Sequence, residues 1–173
     1  KAPNMDANYS ADGKWIFTKD NQGFIFIHDA LTGDVVDELT GLSAAFNPQN
    51  NDQILTTNDD SSAKVWVIGQ DEPLQMISDG DVGIWMATFT PDGKVLTVSN
   101  DGSVKIWVVE SAEAPSALGS YSGGKILDIL FSNEGAYVVS EEGNNAGIWN
   151  LEDDSIAPVM LEGHTDMLLT GAF

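Results

Sequence analysis

The chain has 173 residues, with 27 Asp and Glu against 7 basic side chains, all Lys, for a formal charge of −20. That balance excludes the basic surface that nucleic acid or an anionic membrane requires, so neither is an expected partner; a basic protein surface suits the field better. A hydrophobic content of 42% excludes wholesale disorder, and the absence of Cys excludes disulfides and thiolate metal sites.

The first segments are MDANYS (5–10), KWIFTK (14–19), GFIFIHD (23–29) and DVVDEL (34–39), separated by the turn spellings ADG, DNQ and ALTG. All four read as short strands, because apolar and polar residues alternate and β-branched or aromatic side chains dominate. A second set follows: GLSAAFNP (41–48), DQILTTN (52–58), SAKVWVI (62–68) and PLQMIS (73–78). The third runs GIWMATFTPDG (83–93), KVLTVSN (94–100), SVKIWVV (103–109) and PSALGS (115–120). The fourth runs KILDILFSNEG (125–135), AYVVSE (136–141), NAGIWNL (145–151) and IAPVMLE (156–162), and MLLTGAF (167–173) then reads as one more first strand. No amphipathic helix pattern is present, no run approaches the ~20 apolar residues of a membrane helix, and no leader pattern opens the chain. A soluble chain is expected, with its compartment left open. A start at Lys1 rather than Met leads to the expectation of a processed or partial chain.

The first strand of every set ends on an aromatic residue: Tyr9, Phe46, Phe89, Phe131 and Phe173, spaced 37, 43, 42 and 42 residues apart. A fixed period of this size means one supersecondary unit copied and stacked. The same-face sets Tyr9/Ala7/Met5, Phe46/Ala44/Leu42, Phe89/Ala87/Trp85, Phe131/Ile129/Leu127 and Phe173/Gly171/Leu169 predict a core-facing side with small residues at its middle. An all-β propeller of four-stranded antiparallel blades accounts for this pattern. The expected blades cover about 5–39, 41–78, 84–120 and 125–161 in a single domain, 1–173, with an extra inner strand at 167–173.

The third unit, FTPDGKVLTVSNDGSVKIWVV (89–109), resembles the repeat of WD-repeat β-propellers, and the likeness extends over essentially the whole chain. It includes Trp66, Trp107 and Trp149 at the end of each third strand, with His28 at that place in the first unit. Asp60 and Asp101 stand six residues before their Trp, and Gly163-His164 matches the dipeptide that opens a repeat. The resemblance implies a buried hydrogen-bond chain of His, Ser or Thr, Asp and Trp. Here it is degraded: residues near Gly41, Gly80 and Gly119 replace the opening His, and Val67, Val108 and Asn150 replace the second residue of the Trp-Asp pair. Asp60, Trp66, Asp101, Trp107, Trp149 and His164 are therefore read as structural residues.

The resemblance also implies rings of about seven or eight blades. Four blades are then half of a larger ring, completed by the remainder of a longer propeller or by a second copy that closes eight blades about a two-fold axis. No nucleophile–base set, phosphate loop or calcium loop is marked, so no cofactor, no metal and no enzymatic activity are expected. The expected function is a non-enzymatic scaffold for a protein or peptide. The alternatives are an enzyme or metal/cofactor-binding propeller with an acidic site at the central channel, and a structural subunit of a larger assembly. Candidate contact residues are the off-core positions Asp6, Ser43, Met86 and Asp128. Trp85 joins them: its alternation points to the core, and an aromatic anchor at the ring mouth is the other reading.

Overall fold

The computed structural model describes residues 6–120, 126–132, 136–141, 146–150, 159–163 and 165–166. Among them there are sixteen strands and no helix. The first sheet contains β1 (Asp6–Tyr9), β2 (Trp15–Lys19), β3 (Phe24–Asp29) and β4 (Val35–Thr40); the second, β5 (Ser43–Phe46), β6 (Gln53–Thr57), β7 (Ala63–Val67) and β8 (Gln75–Ile77). The third contains β9 (Ile84–Phe89), β10 (Val95–Ser99), β11 (Ser103–Trp107) and β12 (Ser116–Ser120), and the fourth β13 (Ile126–Phe131), β14 (Ala136–Glu141), β15 (Ala146–Asn150) and β16 (Val159–Leu161). Every sheet is an antiparallel meander in sequence order, and the sheets are the expected propeller blades. The expected fifth inner strand at 167–173, Met5 and His164 lie outside the described residues.

Turn chemistry closes the first hairpin of the first and third blades. At the end of β1, Ser10 N–H reaches Trp15 O at 2.9 Å while Ser10 Oγ donates to Asp12 Oδ1 at 2.6 Å. The third blade repeats the device with Thr90 and Asp92, 2.5 Å apart, and Thr90 N–H on Lys94 O at 2.8 Å. A short side chain that binds its own turn fixes the hairpin register by local hydrogen bonds.

Stacking of blades makes the core. Phe17, Ile25, Ile27 and Leu39 of the first sheet meet Ile54 of the second, with Phe46 and Trp66 packed alongside. Leu55, Val65 and Ile77 of the second meet Ile84, Ala87, Phe89 and Val95 of the third. Leu96, Val98, Val104, Ile106 and Leu118 of the third meet Ile129 of the fourth, flanked by Phe131. Consecutive residues such as Ile54 and Leu55 thus point into different seams, which is why β6 and β10 are buried at every position. Such strands read as near-continuous apolar runs because both faces are covered.

Several side chains depart from the expected core face. Tyr9 is 61% exposed and β1 is exposed throughout. Phe46, Phe89 and Phe131 each pack against the preceding sheet, and among the described residues no sheet precedes the first. Leu42 is also exposed, at the mouth of a cleft described below. Among the described residues no apolar cluster joins the fourth sheet to the first, so the first sheet keeps Tyr9 and Phe24 on an uncovered face.

Candidate functional site

The repeated indoles are ties between strands. Trp66 Nε1 donates to Thr56 Oγ1 at 3.0 Å, and Trp107 Nε1 to Thr97 Oγ1 at 2.8 Å. Both threonines are fully buried, where an unpaired hydroxyl or indole N–H is costly. His28 occupies the same place in the first blade, with Nε2 3.2 Å from Thr18 Oγ1. The tie therefore has two members. Asp60 and Asp101 serve their own turns instead: Asp60 Oδ1 accepts from Ser62 N–H at 3.1 Å and Ser62 Oγ at 2.5 Å, and Asp101 Oδ1 accepts from Ser103 N–H at 2.9 Å. The Ser62 hydroxyl and then the Lys64 ammonium hold the Asp60 carboxyl below its ordinary value. The side chain of Trp149 lies outside the described residues, as does all of His164.

A carboxylate outside the candidate contact residues bridges the second and third blades. Asp79, in the link from β8 to β9, accepts hydrogen bonds from Ser99 Oγ at 2.5 Å, from Ser103 Oγ at 3.4 Å and from Lys105 Nζ. Its side chain is only 11% exposed. Burial pushes this carboxyl up, but the hydrogen bonds from Lys105 and Ser99 outweigh burial and leave it below the ordinary aspartate value. The signal available in the sequence was Lys two residues before Trp, present as Lys64-Val65-Trp66 and Lys105-Ile106-Trp107. In both blades that Lys lies opposite the indole-bound threonine, as the pairs Thr56↔Lys64 and Thr97↔Lys105.

The seam between the first and second blades is built differently. Its link is Gly41 and Leu42 alone, between β4 and β5. A side chain at Gly41 would strike Thr57 O at 2.8 Å, so only glycine lets this link lie against β6. Above it opens a cleft of about 380 Å³, lined by Lys19, Asn21 and Gln22 of the first blade and by Thr40, Asn58 and Lys64 among others. Lys64 Nζ is 2.9 Å from Asp60 Oδ2. Lys14, Lys94 and Lys105 have carboxylate partners as well, so among the described residues Lys19 is the one lysine outside an ion pair.

The proposed contact residues fall on separate inner strands. Asp6 is exposed on β1, opposite Lys19 in the register. Ser43 is half-buried, its hydroxyl 2.6 Å from that of Thr57. Trp85 does not share the face of Ala87 and Phe89: β9 carries an extra residue where Val98 pairs with Met86 and Ser99 with Ile84. This bulge turns Trp85 away from the second blade, and with Met86 it packs against the cluster between the third and fourth blades. Asp128 lies on β13, with its side chain outside the described residues. Among the described residues no three His, Cys, Asp or Glu side chains converge as a metal set.

Residues 72–108 match the family described as WD domain, G-beta repeat. The matched stretch begins before β8 and ends just after β11. One repeat thus spans two blades and contains both Asp79 and Lys105. No curated protein matches the chain in sequence. Among solved structures 1168 chains match, so the architecture is widely used and names no activity. One of them, dihydro-heme d1 dehydrogenase NirN in complex with DHE, superposes with a TM-score of 0.72 at 16% identity. The match covers 94% of the present chain, which spans 38% of the length of that one. At that identity the likeness is one of fold: the chain is a β-propeller array, with a WD repeat at residues 72–108.

Proposed function

We propose that this WD-repeat propeller is a non-enzymatic interaction module that presents the loop rim of its blades to a protein or peptide. WD repeats in general mediate such contacts. The observation that carries the reading is how the chain's motif polar groups are used. The Thr–Trp ties, the turn aspartates and the Asp79–Lys105 bridge each have partners that serve strand, turn or seam. The rim loops above them differ from seam to seam, and variable loops on a stiff scaffold are where binding specificity resides. On this reading a further blade covers the exposed face of the first sheet, contributed by the rest of a longer propeller or by a second copy closing eight blades. Exposed Tyr9 and Phe24 support that closure.

Crosslinking in the native source, followed by identification of the joined peptides, tests the module. Crosslinks from the rim to a distinct protein are expected. Turnover of a small substrate by the purified chain would refute the non-enzymatic reading. Light scattering tests closure, with a mass above that of one 18.5 kDa chain expected; a folded monomer of this chain at its own mass would refute it.

A further inference from the structure

Two sheet faces have no neighbouring sheet among the described residues, and they are in the same phase. At the first two seams the last strand of one sheet turns an aliphatic side chain onto the next. Leu39, opposite Ile25, and Ile77, opposite Ala63, are both buried there. Ile25, Ala63 and Ala146 each stand three residues before the tie position of their blade, at His28, Trp66 and Trp149. Leu161, opposite Ala146, holds the same place in the fourth sheet, yet it is 44% exposed. At the other end Tyr9 holds the place of buried Phe46 and Phe89 and is also exposed.

The uncovered face of the first sheet has its own chemistry. Phe26, opposite Thr18, stands where Lys64 and Lys105 stand opposite Thr56 and Thr97. Phe24 stacks on it, the rings 6.5 Å apart and 26° from parallel. Asp20, four residues after the partner of His28, takes the place of Ser99, four after the partner of Trp107. Ser99 and Lys105 are the groups that receive the Asp79 carboxylate. A carboxylate brought to this place on the first sheet would meet Asp20 and two phenyl rings instead. The link over this face therefore has a small uncharged residue there. Asp79 is the second residue beyond β8 and stands ten before Phe89; Gly163 is the second beyond β16 and stands ten before Phe173. Gly163 is exposed, with nothing within 4 Å of the place a Cβ would take, so its backbone is open to a phenyl ring.

We infer, on the closure reading above, that the cover of the first sheet is a second copy of this chain. Its fourth sheet turns Leu161 onto the first sheet and lays Gly163 over Phe26, continuing the seams already formed within the chain. The reciprocal contact is identical, so the pair closes about a two-fold axis.

Light scattering and native mass spectrometry of the intact chain and its variants are the test. The parent is expected as a dimer of 18.5 kDa chains. Phe26→Lys and Gly163→Asp should each weaken dimerisation by about tenfold or more. Mixed together, the two variants should form a heterodimer: one contact then joins the new lysine to the new aspartate, as Lys105 joins Asp79, and the other is that of the parent. Leu161→Asp, a change at an already exposed position, should separate the copies while the far-UV circular dichroism stays that of the parent. A dimeric parent whose two variants do not rescue one another leaves closure standing and overturns the contact of Gly163 with Phe26. A folded monomeric parent overturns the contact and closure together. Crosslinks in the native source from the first sheet to a segment outside these 173 residues keep closure and overturn the second copy.

Discussion

Replacing Asp79 by Ala removes a side chain from a surface link, yet the structure makes it one of the costlier single changes in the described chain. Three donors converge on that carboxylate, and they differ in what they lose. Ser99 is 1% exposed and its hydroxyl is 2.5 Å from Oδ2; left without an acceptor it carries the full desolvation penalty, about 1–3 kcal/mol. Lys105 is 27% exposed and reaches water, so its loss is that of a partly screened pair, about 0.5–1 kcal/mol. Ser103, at 3.4 Å, adds little. The total is about 1.5–4 kcal/mol, a fall in Tm of roughly 3–16 °C for a domain of this size. Asp101→Ala, by contrast, loses an exposed turn contact to Ser103 and should leave the unfolding midpoint close to the parent's. Parallel thermal and urea denaturation, followed by far-UV circular dichroism and Trp fluorescence, reads both variants. A stability for Asp79→Ala equal to the parent, or below-parent stability in Asp101→Ala alone, would refute the bridging role of Asp79.

Acid should weaken the fold through the same group. A carboxyl whose value is lowered on folding adds stability that is complete above its unfolded value and is lost as pH falls through the folded one. The hydrogen bonds on Asp79 and Asp60 place that loss below about pH 4, and Asp79→Asn should flatten the acid limb of a urea-midpoint profile. Thr97→Val and Thr56→Val each orphan a partly buried indole N–H and should cost about 1–3 kcal/mol in urea denaturation, whereas Thr18→Val, bonded to a half-exposed His28, should cost less than about 1 kcal/mol. Phe17→Ala empties the first seam, where Phe17 is 1% exposed and its ring lies 5.5 Å from that of Phe46; a loss of about 3–5 kcal/mol is expected in the same assay.

The ties at Trp66 and Trp107 were half legible: the aromatic position showed in the spelling, but its acceptor did not. Each threonine stands ten residues earlier on the adjacent strand, a spacing set by the hairpin register. Trp85 misled because period-two alternation carries no mark of an extra residue; the bulge that turns it shows only in the pairing with β10. Tyr9 misled for another reason. Its spelling matches that of Phe46 and Phe89, and what separates them is whether a sheet stands in front.

Period, strand number and turn placement came through in the linear chain because each is set within a few residues, by alternation and by Asp, Asn, Ser and Gly binding their own backbone. The partners of Asp79 and Lys64 did not. Which carboxylate meets which lysine depends on the length of the link between sheets and on how those sheets stack, and residues some 26 positions apart acquire a shared environment only when the seam closes. Repeated spelling therefore specified like blades, while unequal links made the seams unlike: Lys105 takes its carboxylate from the link and Lys64 from its own turn.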